Sequence, residues 1–240
     1  MRAYRAAAVQ MTSVPDLDKN LAQAEEMIDL AVRQGAELVT LPENFSFLGD
    51  EEAKMAQADV ISKASENFLK IMAQRYQVTL IGGGYPVPAK EGKVFNTALL
   101  VSPEGQELMR YEKVHLFDVN LPDGNTYRES STVISGHLLP DVFPSKDFGI
   151  LGLSVCYDVR FPELYRHLSQ QGGRSPCGAG GIYGLYRQRS LAGLATGKSH
   201  REHLLHHCSS PNRLPQCPSS IPRPRHDHRP LGYGTCRCRH

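Results

Sequence analysis

The sequence has no tryptophan and, across its first 173 residues, a single cysteine, Cys156. One thiol cannot close a disulfide within its own segment, so that portion reads as a reduced, cytoplasmic protein rather than a stapled secreted one. No apolar window is long enough to span a bilayer. The opening MRAYRAAAVQ lacks the apolar core and cleavage site of a signal peptide and reads as a first strand. No membrane partner is expected. The run Gly82, Gly83, Gly84 is not followed by the GK[ST] of a phosphate loop, which leaves close backbone packing as its reading. The net charge of +2 favours no class of partner.

What is there is unevenly distributed. Residues 1–173 carry 16 Lys and Arg against 23 Asp and Glu, whereas residues 174–240 carry 11 against 2. The front portion alternates apolar periods of strand and helix. Residues 4–10 read as a strand, and Asp16 or Asp18 caps a helix with the stripe Leu21, Ala24, Ile28, Ala31 and Val32, stopped at Gly35. A buried strand over 37–41 ends at Pro42 and Glu43. Residues 50–75 read as one helix burying Ala64, Phe68, Ile71 and Met72, followed by a strand over 78–82. Residues 94–102 and 107–111 flank Pro103, Glu104 and Gly105, a hairpin signal. Residues 113–129 form a long polar connection of the functional kind, 149–156 a central strand, and 162–171 a helix. Alternation followed by hairpins predicts a mixed sheet covered by helices, an α/β fold.

After Gly173 this grammar stops. Residues 174–240 show no sustained period and are rich in Pro, Arg, His and Cys. Cys236, Cys238 and His240 lie close together, but the one-residue gap is too short for a zinc pair and no paired histidines balance it. A basic nucleic-acid tail has only Tyr183, Tyr186 and Tyr233 to stack on bases and no fold motif behind it, so no nucleic-acid partner is expected. A shifted reading frame explains the break better. One back-translation of residues 196–205, read one nucleotide later, gives QARAIENTC, which is helix-like and free of Pro and Gly. The tail is therefore expected to be non-native and disordered.

The chemistry-bearing stretch is GLSVCYDVRFPE, residues 152–163. An apolar run delivers Cys156 to a polar turn, at the carboxyl edge of a sheet where α/β proteins bind substrates. Alone, a cysteine there reads as a small buried hydrophobe. Two other charged residues also follow apolar stretches: Glu43 in LPENF and Lys113 in YEKVHLF. A thiol needs a base to become a nucleophile, a carboxylate can serve and then return the proton to a leaving amine, and a fixed ammonium can hold the negative charge that develops on a carbonyl oxygen. These three types suffice for acyl transfer through a thioester. Read singly, Glu43 is equally a turn carboxylate and Lys113 a solvated surface charge.

Three segments settle the context: LVTLPENF around Glu43, YEKVHLFDV around Lys113 and GLSVCYDVRFPEL around Cys156. In them, and in their order and separation, the chain resembles the nitrilase (carbon–nitrogen hydrolase) superfamily, most closely its Nit amidase branch, over residues 1–173. The shifted-frame peptide is also similar to the family's sequence beyond the cysteine. The resemblance implies a four-layer αββα sandwich, incomplete here because 174–240 replaces its second half. It implies Glu43 as general base, Lys113 as oxyanion stabiliser, Cys156 as nucleophile and Glu129, in YRES, as the second glutamate that orients the lysine. No metal or cofactor is implied, the partner is a small-molecule amide, and the family is usually homo-oligomeric. The reaction implied is hydrolysis of an ω-amide of a small dicarboxylate, such as α-ketoglutaramate or deaminated glutathione, to acid and ammonia. Arg160 is either a clamp for a substrate carboxylate or a structural ion pair with Asp158 or Glu163. Tyr157 is expected to touch substrate or, with His115, to support the site. Nitrilases usually place tryptophan where this chain has Tyr157. N-carbamoyl amino-acid hydrolases read Asn-Asp-Arg-Arg after the cysteine, where Val159 stands for the first arginine. A catalytically dead binding protein is the non-enzymatic alternative. With open sheet edges left by the replaced half, the chain as written is expected to be poorly soluble or inactive.

Overall fold

Of the two caps the sequence offers, Asp16 opens the first helix: its backbone is extended and its carboxylate accepts the N–H of Lys19. The computed structural model describes residues 4–122, 124–136 and 140–171 together with the backbone of 234–237. Within them, β1 (Arg5–Ala8), α1 (Leu17–Arg33), β2 (Leu38–Leu41), α2 (Glu51–Ala56), α3 (Ala58–Tyr76) and β3 (Thr79–Pro88) alternate along the chain. The hairpin β4 (Val94–Val101) and β5 (Glu107–Glu112) follows, then the small hairpin β6 (Asp118–Asn120) and β7 (Thr126–Arg128). The pair β8 (Phe143–Ser145) and β9 (Gly149–Leu151), the helix α4 (Pro162–Gln170) and the short strand β10 (Gly234–Arg237) complete the order.

The main sheet runs β10-β1-β2-β3-β4-β5, with β1, β2 and β3 parallel and the remaining pairs antiparallel. Strand alternation sends successive side chains to opposite faces, and both faces are buried. Val9, Val39, Leu41, Leu80, Leu99 and Val101 meet Ala24, Ile28 and Ala31 of α1 and Phe68, Leu69 and Met72 of α3. Leu38, Ile81, Ala98 and Leu100 on the other face meet Leu151, Leu153 and Val155. Beyond that extended segment lies α4: Leu168 packs over Gly152, and the Tyr165 hydroxyl lies 3.2 Å from Ser154 Oγ. The order is helix, sheet, strand, helix, which is the layering expected.

Four expectations are corrected. The helix read over 50–75 is two helices, broken at Gln57, because α2 buries no residue while α3 must turn its stripe onto the sheet. That stripe is rotated from the one read in the sequence. It uses Ile61, Ser65, Phe68, Leu69 and Met72, leaving Ile71 41% exposed and Ala64 half-buried. Buried Ser65 fits because its hydroxyl donates to the Ile61 carbonyl at 2.6 Å. The segment 149–156 is not a central strand of the main sheet: β9 pairs with β8 alone, and residues 151–155 lie across the sheet's second face. The four residues of β10 pair with β1 and are the described part of the tail, where no strand was read; the rest of 174–240 lies outside the described residues.

The triple glycine marks a β-bulge in β3, where the register to β4 shifts between Gly82 and Tyr85. A Cβ on Gly83 would come within 2.6 Å of the Leu41 carbonyl oxygen, and one on Gly84, whose φ is +25°, within 2.7 Å of Glu43 Cγ. Asn44 N–H donates to the Gly84 carbonyl at 2.7 Å. The glycines thus let the turn after β2 sit directly on β3, as close packing requires. Gly83→Ala is expected to lower stability by about 1–3 kcal/mol through overpacking against backbone, measured as a reduced urea midpoint at unchanged m-value.

Candidate active site

Glu43 leaves the end of β2 in the turn seated on that bulge, where Asn44 takes the left-handed conformation at φ +58°. Lys113 follows the end of β5, its N–H donating to the Asn96 carbonyl of β4 at 2.8 Å. The hairpin β6–β7 then doubles the chain back. Phe117 N–H donates to Glu129 Oε2 at 2.6 Å, and Glu129 N–H to the Phe117 carbonyl at 3.3 Å, so that residues 113 and 129 meet. The long polar connection is thus a device for returning a carboxylate to the lysine.

The Lys113 side chain is almost wholly buried and its Nζ lies 3.1 Å from Glu43 Oε1, 3.1 Å from Glu129 Oε1 and 2.9 Å from Glu129 Oε2. Burial opposes its charge, but the charges of Glu43, Cys156 and Glu129 outweigh that, and its pKa is held well above the ordinary lysine range. A buried ammonium between two carboxylates is stable only if the remaining acceptors are satisfied. Asn96 does part of this: its Nδ2 donates to Glu43 Oε1 at 2.7 Å and to Glu129 Oε1 at 3.2 Å.

Cys156 starts a short 3-10 turn over Cys156–Arg160 with φ at +47°. For a residue with a Cβ this conformation costs on the order of 1–3 kcal/mol. The turn is brought beside Glu43 through Val155, whose side chain and that of Glu43 both line the space a Cβ on Gly84 would fill. Asp158, fully buried, holds the turn: its Oδ2 accepts Val155 N–H at 2.9 Å and the Tyr111 hydroxyl at 2.7 Å. Its Oδ1 accepts His115 N–H at 3.0 Å and lies 2.7 Å from His115 Nδ1.

Of the residues read from the sequence, Glu43, Lys113 and Glu129 are thus in direct contact, and Cys156 is close enough to bear on the lysine's charge. Tyr157 packs edge-on to Phe117 and Phe161, with centroids 5.0 and 5.5 Å away, and His115 stacks on Phe161 at 3.7 Å. Arg160 forms no ion pair with Asp158 or Glu163. Asp158 is engaged as above, and Glu163 bonds Arg166 at 3.2 Å. The structural pairing weighed for Arg160 is therefore not the one adopted. Two residues were missed. Asn96 is an amide inside the apolar run FNTALLV, and Asp158 stands two places after the cysteine. The signal for each was a polar group where the pattern called for burial. Among the described residues no three His, Cys, Asp or Glu side chains are grouped to hold a metal, and no helix is long and apolar enough to cross a membrane.

The ends of β2 and β5 and the return of the β6–β7 hairpin thus gather two carboxylates around a buried ammonium, with the turn that carries the thiol beside them. The chain belongs to the carbon–nitrogen hydrolase family, whose sequence model matches residues 5–220, and within the nitrilase superfamily it falls on the Nit-type branch. It is 64% identical over 174 residues to deaminated glutathione amidase of Synechocystis sp. strain PCC 6803 / GT-S, covering 72% of this chain and 64% of that protein. It is 34% identical over 174 residues to human omega-amidase NIT2, covering 72% and 61%. Among solved structures, the C. elegans NitFhit protein superposes with a TM-score of 0.66 at 31% identity, covering 72% of this chain and 42% of that one. The chain spans a little under two thirds of the length of these curated relatives.

Lys113→Met is expected to cost about 3–5 kcal/mol at pH 7, because it leaves two carboxylates buried without their counter-ion. Urea midpoints of the variant and the wild type at pH 7 measure the difference. In the wild type the lysine's pKa is raised, so its contribution is complete below the ordinary lysine range and fades only as the pH climbs above it.

Proposed function

We propose that this chain carries the machinery of a thiol amidase that hydrolyses the ω-amide of a small dicarboxylate to the acid and ammonia. The carrying observation is the buried Lys113 ammonium, held by Glu43 and Glu129 beside the strained turn at Cys156. Glu43 takes the proton of Cys156, and the thiolate attacks the amide carbon. The oxyanion that forms is stabilised by the Lys113 ammonium, which Glu129 and Asn96 hold in place. As the tetrahedral intermediate collapses, the C–N bond breaks and protonated Glu43 gives its proton to the departing ammonia. Glu43 then deprotonates a water, the hydroxide attacks the thioester carbon, and the C–S bond breaks to release the acid. The proton on Glu43 passes to the sulfur and restores the thiol.

The substrate class rests on two features. Similarity to a deaminated glutathione amidase and to omega-amidases favours an amide with a carboxylate at its other end. Arg160, on the same turn as the nucleophile and without an ion pair among the described residues, supplies a guanidinium for that carboxylate. Tyr157, with Phe117 and Phe161, offers an aromatic wall next to it. A nitrilase or carbamoylase reading has no comparable support. We also place the chain in the cytoplasm, as its one cysteine over residues 1–173 suggests, and read 174–240 as the product of a shifted frame appended to a hydrolase domain over 1–173. Self-association, usual in the family, belongs to the same reading.

The test is ammonia release from a panel of ω-amides and neutral amides, with the chain as it stands and with the frame restored after the codons for residues 172–176. Release is expected from the restored frame rather than from the chain as it stands, and Cys156→Ala should abolish it. Arg160→Gln should raise KM for carboxylate-bearing amides by about ten- to a hundred-fold, the loss expected of a charge-assisted hydrogen bond, and leave KM for neutral amides unchanged. Equal effects on both substrate types would remove Arg160 from the substrate site. An intact single frame in fresh genomic DNA would refute the frameshift.

A further inference from the structure

Asp158 is fully buried, yet it forms no ion pair with Lys or Arg among the described residues; its oxygens are instead filled by donors from two segments far apart in sequence. Val155 N–H belongs to the residue before the nucleophile. His115 N–H belongs to the segment two residues past Lys113. Tyr111, which also bonds Asp158, sits two residues before that lysine on β5, and its hydroxyl also accepts Val114 N–H at 3.3 Å. One carboxylate therefore ties the thiol's turn to both sides of the ammonium's strand end.

We propose that Asp158 is the positioning residue of the site, fixing the sulfur of Cys156 against Lys113 and Glu43 by clamping Val155 to the Tyr111–His115 segment. The proposal rests on the amidase reading for what the thiol then does, but the clamp is geometric. Each carboxylate oxygen faces one backbone N–H, Val155 on Oδ2 and His115 on Oδ1. An amide in either orientation must turn its NH₂ towards one of them, so the neutral isostere breaks the clamp without changing side-chain volume. A carboxylate offers only acceptors, so it also selects the His115 tautomer carrying hydrogen on Nδ1. Burial and Asp158 together raise the Tyr111 pKa, which keeps its hydroxyl a donor. Two residues away from the clamp, the left-handed backbone at Cys156 needs an external hold of this sort to persist.

The experiment follows alkylation of Cys156 by acrylamide against pH in the full chain, read by peptide mapping so that the other five cysteines are separated. The titratable and charged groups packed against the thiol's turn are Tyr111 and His115 on Asp158, Glu43 beside Val155, and Lys113 with its partner Glu129; Tyr157, Asp158 and Arg160 belong to the turn itself. In Asp158→Asn the rate at neutral pH is expected to fall roughly ten- to a hundred-fold, as misplacement of a reacting group does, with the midpoint of the pH profile moving up as the sulfur leaves the ammonium. Loss of a nearby negative charge alone would move the midpoint down, and a role in stability alone would lower the melting temperature and leave the profile in place; either result overturns the proposal. Tyr111→Phe, which removes one donor and no charge, should shift the profile the same way by less, and decides the matter if Asp158→Asn does not fold. Glu43→Gln runs alongside. If it slows alkylation while the Asp158 and Tyr111 variants do not, the clamp fails and the amidase reading stands. If only the Asp158 and Tyr111 variants act, the clamp stands without Glu43 as base.

Discussion

The structure depends on one buried cation. An ammonium removed from water loses several kcal/mol of solvation, and Lys113 recovers it only by gathering carboxylates from two other parts of the chain. Glu43 arrives from the end of β2 and Glu129 from a hairpin that leaves Lys113 and returns to it. Asn96 then ties the two acids together from β4. Four segments are thus made to converge by the requirement that one charge be neutralised out of solvent. The same convergence places two carboxylates and a fixed cation beside the turn that carries a thiol.

Two backbone irregularities carry the geometry that regular strands cannot. The glycine bulge in β3 removes side chains where the LPENF turn must rest, so Glu43 is seated from below as well as held from the side. The positive φ at Cys156 turns the chain sharply out of the extended run over 151–155. Each irregularity is over-determined by its neighbours: Asn44 N–H bonds the bulge, and Val155 and Asp158 brace the cysteine turn.

Much of this was legible in order. A cap at Asp16 or Asp18, the Gly35 stop, the short buried run at 37–41 and the hairpin around Gly105 are local signals, and the structure follows them with Asp16 as the cap and Leu38–Leu41 as the strand. Glu43 and Lys113 stood out because each follows an apolar stretch, whereas Glu129 was legible only through the family resemblance. Less local features were not legible. The break at Gln57 reflects which helix touches the sheet, and an unbroken helical pattern across 50–75 does not encode it. Ile71 fits the periodicity of a buried stripe but faces solvent, since the face was fixed by Leu69 settling on Gly82. The run at 149–156 was read as one strand, but only Gly149–Leu151 is strand, Cys156 turns out of the run, and the segment lies in a different layer, because an apolar strand carries no mark of which neighbour it will pair with.

By itself the sequence determined the residue types, their places at the ends of apolar runs, and the family those motifs define. Those follow from short-range patterning and composition, which need no folded context. Only the tertiary structure decided that Asp158 serves the turn and Tyr111–His115 rather than Arg160, that Asn96 bridges two acids, and that Arg160 pairs with no acid among the described residues. Each is a choice among donors and acceptors separated by tens of residues, and burial, which removes water as the alternative partner, is what forces the choice.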